Sequence, residues 1–226
     1  MNCFIFARGG SKGIPNKNLM KIRKSTLVGH SINFAKKMKI FDQIFLSSDS
    51  DKILEIGYKS RINLIKRPKK MSLDNSPEWE AWKHAVKHAK NKFGDFEVFV
   101  SLPPTAPLRS QVDVKSAIKK VKYCDVVITY KKAHSNPWFN MVLDNKKNNM
   151  RLVNKGKNIF RRQDAPLVYD MTTVAFVIKT DFIVKHNSIW KGKVKGVEVP
   201  IERAIDIDNQ LDLDLARYLF NEKFKK

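Results

Sequence analysis

Seven short runs rich in β-branched and aromatic residues alternate along the chain with six longer stretches whose apolar positions recur every three or four residues. The runs cover residues 2–7, 43–47, 62–66, 97–102, 125–130, 174–178 and 195–199. The helical stretches cover 26–38, 51–59, 77–92, 110–122, 180–186 and 210–223. Alternation of this kind predicts parallel strands joined by crossover helices, because a helix is the usual way to return a chain to the same edge of a sheet. The expected fold class is therefore α/β, a Rossmann-like three-layer arrangement with a mostly parallel sheet. Ser50, Ser76, Ser110 and Asn209 stand where their side chains can cap a first helical turn, and Pro77 suits a first helical position.

Residues 131–165 break this rhythm. An apolar segment from Pro137 to Leu143, a polar turn from Asp144 to Asn149 and a second apolar segment from Met150 to Val153 predict an inserted β-hairpin. Its apolar residues either cover the chain's own core or form an interface with a second copy. Trp138 and Phe139 read as packing anchors of that element.

A chain of 226 residues that is 42% hydrophobic can bury a substantial core, and no linker or repeat divides it, so residues 1–226 are expected to form one domain. No run of about 18 apolar residues and no secretory leader is present, which predicts no membrane association and a cytoplasmic location. The two cysteines, Cys3 and Cys124, lie in or beside apolar runs and read as buried thiols. The net charge of +22 comes from 34 lysines and 10 arginines against 22 acidic residues. The lysines are spread over helix faces, as at Lys36, Lys37, Lys119 and Lys120, and no recognition helix or RNA-binding aromatic motif accompanies them. No specific nucleic-acid partner is expected, although a basic nucleotide- or RNA-binding module stays open as an alternative to an enzyme.

The chemistry concentrates at the two ends of the chain. After the first strand, Ala7-Arg8-Gly9-Gly10-Ser11-Lys12-Gly13-Ile14-Pro15-Asn16-Lys17-Asn18 places three of the nine glycines within five positions and brings Arg8, Lys12 and Lys17 into one loop. Glycines allow backbone N–H groups to approach an anion, and cations at the carboxyl end of a strand sit where open α/β sheets bind ligands. This is the composition of a triphosphate cradle, but it lacks the spacing of a Walker A or a dinucleotide-binding loop. The bland alternative is a solvated basic turn. Near the other end, Asp206 and Asp208 are two apart on an extended segment and so face the same way. Two such carboxylates suit a hard cation such as Mg2+, with capping and turn formation as the alternative. Asp212 and Asp214 fall in the next helical turn, where acidic residues favour the helix dipole.

The first loop resembles the signature of the acylneuraminate cytidylyltransferases, Ala-Arg-x-x-Ser-Lys-Gly-x-Pro-x-Lys-Asn, filled here by Ala7, Arg8, Ser11, Lys12, Gly13, Pro15, Lys17 and Asn18. The resemblance extends to Arg67-Pro68, to Leu102-Pro103-Pro104-Thr105-Ala106-Pro107-Leu108-Arg109, to Arg161-Arg162-Gln163-Asp164-Ala165-Pro166, and to Asp206-x-Asp208. It implies transfer of CMP from CTP to the anomeric hydroxyl of a nine-carbon 3-deoxy-2-ulosonic acid, with release of pyrophosphate. It implies that Arg8 and Lys17 act on the phosphates, and that Arg8, Gly9, Ser11, Lys12, Lys17, Asn18 and Arg67 hold the nucleotide. Thr105, Arg162 and Gln163 would hold the sugar, and Asp206 and Asp208 would bind Mg2+. The insertion would make a homodimer. Two positions depart from the pattern: Pro103 stands where the family has a glutamine, and Thr172-Thr173 stand where the legionaminic-acid branch has Asn-Ala. An eight-carbon acidic sugar is the nearest alternative acceptor.

Overall fold

The computed structural model describes residues 1–11, 13–73, 75–144, 149–156 and 158–223. Eleven strands and six α-helices follow in the order β1 (Asn2–Phe6), β2 (Lys21–Ile22), β3 (Ser25–Thr26), α1 (Leu27–Met38), β4 (Gln43–Ser48), α2 (Asp51–Lys59), β5 (Asn63–Lys66), α3 (Glu78–Phe93), β6 (Val98–Ser101), α4 (Gln111–Lys120), β7 (Val126–Lys132), β8 (Val142–Asp144), β9 (Met150–Leu152), β10 (Tyr169–Lys179), α5 (Thr180–Lys185), β11 (Val194–Glu198) and α6 (Gln210–Lys223). Seven strands form one sheet in the order β11-β7-β10-β6-β1-β4-β5. All of them run the same way except β10, which is antiparallel to both β6 and β7.

The interior strand β1 is covered on both faces, and this is why its sequence is a continuous apolar run with no polar alternation. Cys3 and Ile5 pack with Val28 and Ile32 of α1 and Val114 and Ala117 of α4 on one face. Phe4 points the other way, stacked on Phe45 at 4.9 Å and on Phe99 at 4.7 Å, beneath Trp79 and Trp82 of α3. Each such ring, fully buried, contributes about 1.5–3 kcal/mol relative to exposure, so the two faces together hold β1 in the interior of the sheet. A further cluster joins Ile14, Ile22 and Leu27 to Leu108, Ile207 and Leu213. It fastens the C-terminal segment against the loop that follows β1, bringing the two chemically rich ends of the sequence together.

The predicted elements are present, with four differences. Ser50 stands at the N-cap of α2, but its side chain accepts no capping hydrogen bond from the helix. Pro77 occupies the cap position of α3 and the helix starts at Glu78, while the Ser76 hydroxyl donates to the Lys70 carbonyl at 2.7 Å instead of capping the helix. Ser110 does cap α4, in a reciprocal box with Asp113. β10 starts five residues before its predicted beginning because its first residues pair with the end of β7, Tyr169 opposite Lys132. The ribbon β2–β3 has only two residues per strand and carries no periodicity to read. The hairpin expected within 131–165 is β8–β9, a two-stranded sheet of its own, with Val142, Leu143 and Met150 exposed.

Candidate active site

The chain leaves β1 towards β4 on one side of the sheet and later returns to β6 on the other, so the strand order reverses at β1 and β6. Open α/β sheets bind ligands at such a reversal, outside the carboxyl ends of the strands. A cavity of about 620 Å3 lies there, lined by residues that include Phe6, Arg8, Ser11, Gly13, Lys17 and Asn18 after β1, Pro103 and Thr105 after β6, Thr173 of β10, and Asp206 and Asp208. A smaller adjoining cavity, about 320 Å3, shares Phe6, Arg8 and Glu78 with it and is also lined by Arg67, Ser72 and Ser76.

The loop after β1 is braced at several points. Asn18, itself buried, donates from Nδ2 to the Arg8 carbonyl at 2.9 Å, and the Gly9 N–H donates to Asp49 Oδ1 at 2.9 Å. Gly13 faces the Asp208 carbonyl so closely that a Cβ would stand 2.1 Å from it. No side chain can be placed there without moving one backbone segment. Lys17 pairs with Asp208 through a 2.8 Å Nζ–Oδ1 contact, so a cation of the first loop is tied to a carboxylate almost two hundred residues away. Lys12 lies outside the described residues.

The carboxylate segment is held by its own neighbours. The Ile207 N–H donates to the Thr105 carbonyl at 2.9 Å, and the Asp212 carboxylate accepts from the N–H groups of Asp208 and Asn209 at 2.9 and 3.0 Å. Asn209 caps in return, its Oδ1 accepting from the Asp212 N–H at 3.0 Å. Asp212 is thus structural, as its place in the helix predicts. Asp206 turns inward, and its Oδ1 is buried with no hydrogen-bond partner among the described residues.

Arg67 is 6% exposed, and its nearest charge is Asp49 Oδ1 at 3.9 Å from Nη2. Its Nε and Nη2 have no hydrogen-bond partner among the described residues, nor does the buried Ser72 hydroxyl on the same small cavity. Burial pulls the Arg67 pKa down against the pull of Asp49 and Glu78. Donors left unmade inside a protein cost free energy, and here they border a cavity of ligand size.

Glu78 presents surface to both cavities while protein crowds its carboxyl from behind. That crowding pushes its pKa up, opposed by the Trp82 indole N–H, 3.2 Å from Oε1, and by Arg67. Arg109 is a structural residue: it is buried, its guanidinium holds the Pro103 carbonyl and donates to Ser31 Oγ at 3.3 Å, and desolvation lowers its pKa to about 10. Among the described residues, no histidine lines the larger cavity.

Most of the residues singled out in the sequence meet here. Arg8, Ser11, Lys17, Asn18, Thr105, Asp206 and Asp208 line one cavity, Gly9 is held beside it, and Arg67 lines the cavity next door. Arg162 and Gln163 are not brought to it: both are exposed on a single 3-10 turn, where Arg162 donates to the His134 carbonyl at 2.8 Å. Sequence reading passed over Asp49 and Glu78. Asp49 carried one usable signal, an acidic residue at the carboxyl end of the strand beside β1. Glu78 carried none, since a glutamate in a first helical turn is ordinary.

A cytidylyltransferase family model matches residues 2–222. The chain belongs to the cytidylyltransferase family. It is an enzyme of the nucleotidyltransferase class. This cytidylyltransferase is 35% identical to the CMP-N,N'-diacetyllegionaminic acid synthase of Campylobacter jejuni over 98% of its own length and 95% of that protein. It is 32% identical to post-translational flagellin modification protein B of Campylobacter coli, with the same coverage of both chains. Among solved structures, a CMP:2-keto-3-deoxy-manno-octonic acid synthetase complexed with CTP superimposes with a TM-score of 0.70 at 13% identity, covering 98% of each chain, which establishes the shared Rossmann-like fold. Among the described residues, no helix is long and apolar enough to cross a membrane.

Proposed function

We propose that this chain transfers the cytidylyl group of CTP to the anomeric hydroxyl of a nine-carbon 3-deoxy-2-ulosonic acid of the sialic or legionaminic type. The observation that carries this reading is the convergence of Arg8, Lys17, Asp206 and Asp208 on one cavity at the reversal of strand order. The names of the relatives at 35% and 28% identity, a CMP-N,N'-diacetyllegionaminic acid synthase and a pseudaminic acid cytidylyltransferase, support the acceptor class.

In the reaction the anomeric oxygen bonds to the α-phosphorus, the bond from that phosphorus to the bridging oxygen of the β-phosphate breaks, and pyrophosphate departs with the electron pair. The hydroxyl proton is lost to an acceptor in the water-accessible cavity. Little covalent chemistry falls to the protein, and positioning with charge neutralisation supplies the rate. The cradle N–H groups and Ser11 orient the phosphates, while Arg8 and Lys17 offset the charge that builds on the departing pyrophosphate. Arg67, with unpartnered donors, binds the nucleotide from the adjoining cavity. Thr105 holds the acceptor.

The donor set fits magnesium. Asp206 Oδ1 has no protein partner and Asp208 lies on the same segment, whereas no group of three or more His, Cys, Asp or Glu side chains that could cage an ion occurs among the described residues. Magnesium commonly takes one or two carboxylates and completes its shell with phosphate and water, so Asp206 and Asp208 would hold it. When bound, it would supply neutralisation of phosphate charge and a lower pKa for a coordinated oxygen.

The exposed apolar residues of the insertion and its return, including Met141, Val142, Leu143, Met150, Phe160 and Leu167, support a homodimer built on this face. Residues 1–226 would then act as one catalytic domain with the 131–165 hairpin as its dimerisation element, and a CTP-consuming enzyme of this kind would work in the cytoplasm. The reaction is tested by pyrophosphate release from CTP, UTP and ATP with magnesium, each paired with legionaminic, N-acetylneuraminic and eight-carbon ulosonic acids. Release confined to CTP with a nine-carbon acid is expected. Release with the eight-carbon acid alone would replace the acceptor, and salt-steep RNA binding without any release would replace the enzyme by a binding module.

A further inference from the structure

β10 contains an irregularity at the wall of the larger cavity. Thr172 pairs with Thr129 of β7 and Phe176 pairs with the adjacent Ile128, so residues 173–175 are inserted between two consecutive rungs of the ladder. A bulge of this kind breaks backbone pairing and needs other partners for the freed groups. Here one side chain supplies them. Thr129 is fully buried, and its Oγ1 accepts from Thr172 Oγ1 at 2.8 Å and from the Ala175 N–H at 3.3 Å. Its own proton has the Thr172 and Ala175 carbonyls within reach, at 3.2 and 3.3 Å. Val174 and Ala175 are fully buried, so the bulge is closed on its inner side.

Thr173, the first of the inserted residues, opens onto the cavity. Its hydroxyl lies 3.4 Å from that of Thr105. The Thr105 carbonyl receives the Ile207 N–H at 2.9 Å, between the two carboxylates of the cavity. Hydrogen bonds joined through the backbone of the bulge and of Thr105 therefore connect a buried threonine in β7 to a pair of hydroxyls on the cavity wall and on to the Asp206–Asp208 segment.

Resting on the function proposed above, we infer that Thr173 and Thr105 form a hydroxyl pair that reads a hydroxyl or acylamino substituent of the acidic sugar, with Thr129 as the positioning residue that sets where Thr173 stands. Each hydroxyl can donate and accept, so the pair matches a polyhydroxylated or acylated carbohydrate. A phosphate would call for cations, and these lie on the loop after β1. The two threonines that depart from the family's pattern thereby take different parts: Thr172 is used up inside the bulge, and Thr173 faces the substrate.

The test is steady-state kinetics on the full-length protein, varying the acidic sugar at saturating CTP and CTP at saturating sugar. A hydrogen bond between neutral groups contributes about 0.5–1.5 kcal/mol. Thr173→Val, which keeps shape and removes the hydroxyl, should therefore raise KM for the sugar roughly 2- to 13-fold, with KM for CTP within twofold of wild type. Thr173→Ser should restore it. Thr129→Val should reproduce the sugar-selective rise, and Thr129→Ser should not. If Thr129→Val fails to fold, the Thr173 pair still decides. A Thr173→Val enzyme that matches wild type for both substrates, or that weakens CTP as much as sugar, overturns the assignment while leaving the cytidylyl-transfer reading intact. Absence of turnover by the wild-type protein with every acid overturns both.

Discussion

The same sheet has a sizeable cavity at each edge, and the larger is not the one with chemistry. At the amino end of β6 a cavity of about 740 Å3 is lined by Lys90, Lys122, Lys179 and Asp181 over an apolar floor of Val98, Ile118 and Val121. Its lysines are engaged: Lys90 pairs with Asp95 and Asp181 at 3.0 and 3.3 Å, Lys179 with Asp125 at 3.2 Å, and Lys122 lies 4.8 Å from the centre of the Tyr123 ring. At the carboxyl end, in about 620 Å3, an Asp206 oxygen is left without a partner among the described residues, and so are two Arg67 nitrogens in the adjoining cavity. The difference teaches that volume alone does not mark a site. Buried polar atoms without partners among the described residues occur elsewhere too, as at Ser47, Ser101 and Thr180, so what marks the carboxyl end is that atoms of a carboxylate and a guanidinium without such partners border its cavities.

The comparison breaks most severely if charges of the carboxyl edge prove dispensable. Arg8→Ala should lower kcat about 10²- to 10³-fold, the cost of removing one preorganised donor from developing charge, with a melting temperature near that of wild type. Pyrophosphate release together with calorimetry checks both halves, and wild-type turnover would take Arg8 out of the mechanism. Gly13→Ala follows closely. Its Cβ would lie 2.1 Å from the Asp208 carbonyl, so the cradle and the carboxylates must separate, and a displacement of that order costs about 100-fold in rate. Turnover within a few-fold of wild type would show that the two segments need not touch.

Arg67→Met separates stability from binding. Removing a buried guanidinium whose Nε and Nη2 lack partners among the described residues should leave thermal stability equal or higher, because an apolar side chain of similar volume carries no desolvation cost. CTP affinity should fall about 10- to 100-fold, the range for losing hydrogen bonds from a charged donor. Isothermal titration with CTP and thermal unfolding of the same sample give the two numbers. A variant that loses stability and keeps affinity would move Arg67 from ligand binding to core structure.

How much of this was visible beforehand follows from the range of the forces involved. The strands of the central sheet were legible because each needs a local apolar pattern, and the cradle was legible because Gly9, Gly10 and Gly13 with Arg8 and Lys17 lie within ten residues. That Lys17 meets Asp208, or that Gly13 must be small because of Asp208, depends on how the C-terminal segment packs through Ile207 and Leu213 onto Ile14. No local pattern encodes that. The bulge in β10 was equally hidden, since Thr129 and Thr172 look like ordinary strand threonines until their register is known. Arg162 shows the converse. Its motif position reads as a sugar contact, and within one chain its guanidinium donates to the His134 carbonyl outside the cavity.

The two edges should also respond to pH with opposite sign. Glu78 has a raised pKa, so its ionisation costs the folded state: the favourable contribution is whole below the ordinary glutamate value and is lost as pH rises through the folded one. Asp125 has a lowered pKa, first because the Lys193 N–H donates to it and then because of Lys179. Its contribution is present above the ordinary aspartate value and is lost as pH falls through the folded one. Glu78→Gln should therefore gain stability relative to wild type as pH rises from about 4 to 7, and Asp125→Asn should lose it as pH rises through the acid range below about 5, read by urea unfolding at each pH. Parallel curves for the two variants would mean that the carboxyls do not differ as their surroundings imply.

The smallest expected effect is at the amino edge. Lys90→Ala removes the cation that Asp95 and Asp181 share, with carboxylates 86% and 74% exposed. Exposed pairs of this kind contribute about 0–1 kcal/mol, and salt screens them further, so unfolding should shift by no more than that and the shift should shrink in 1 M NaCl. The contacts of Lys90 lie at the end of the strands remote from Arg8 and Asp206, and kcat and both KM values should stay within twofold of wild type. A tenfold fall in kcat/KM would mean that the lysine-lined cavity is coupled to the carboxyl edge, and satisfied charge could then no longer be taken as the sign of a cavity without function.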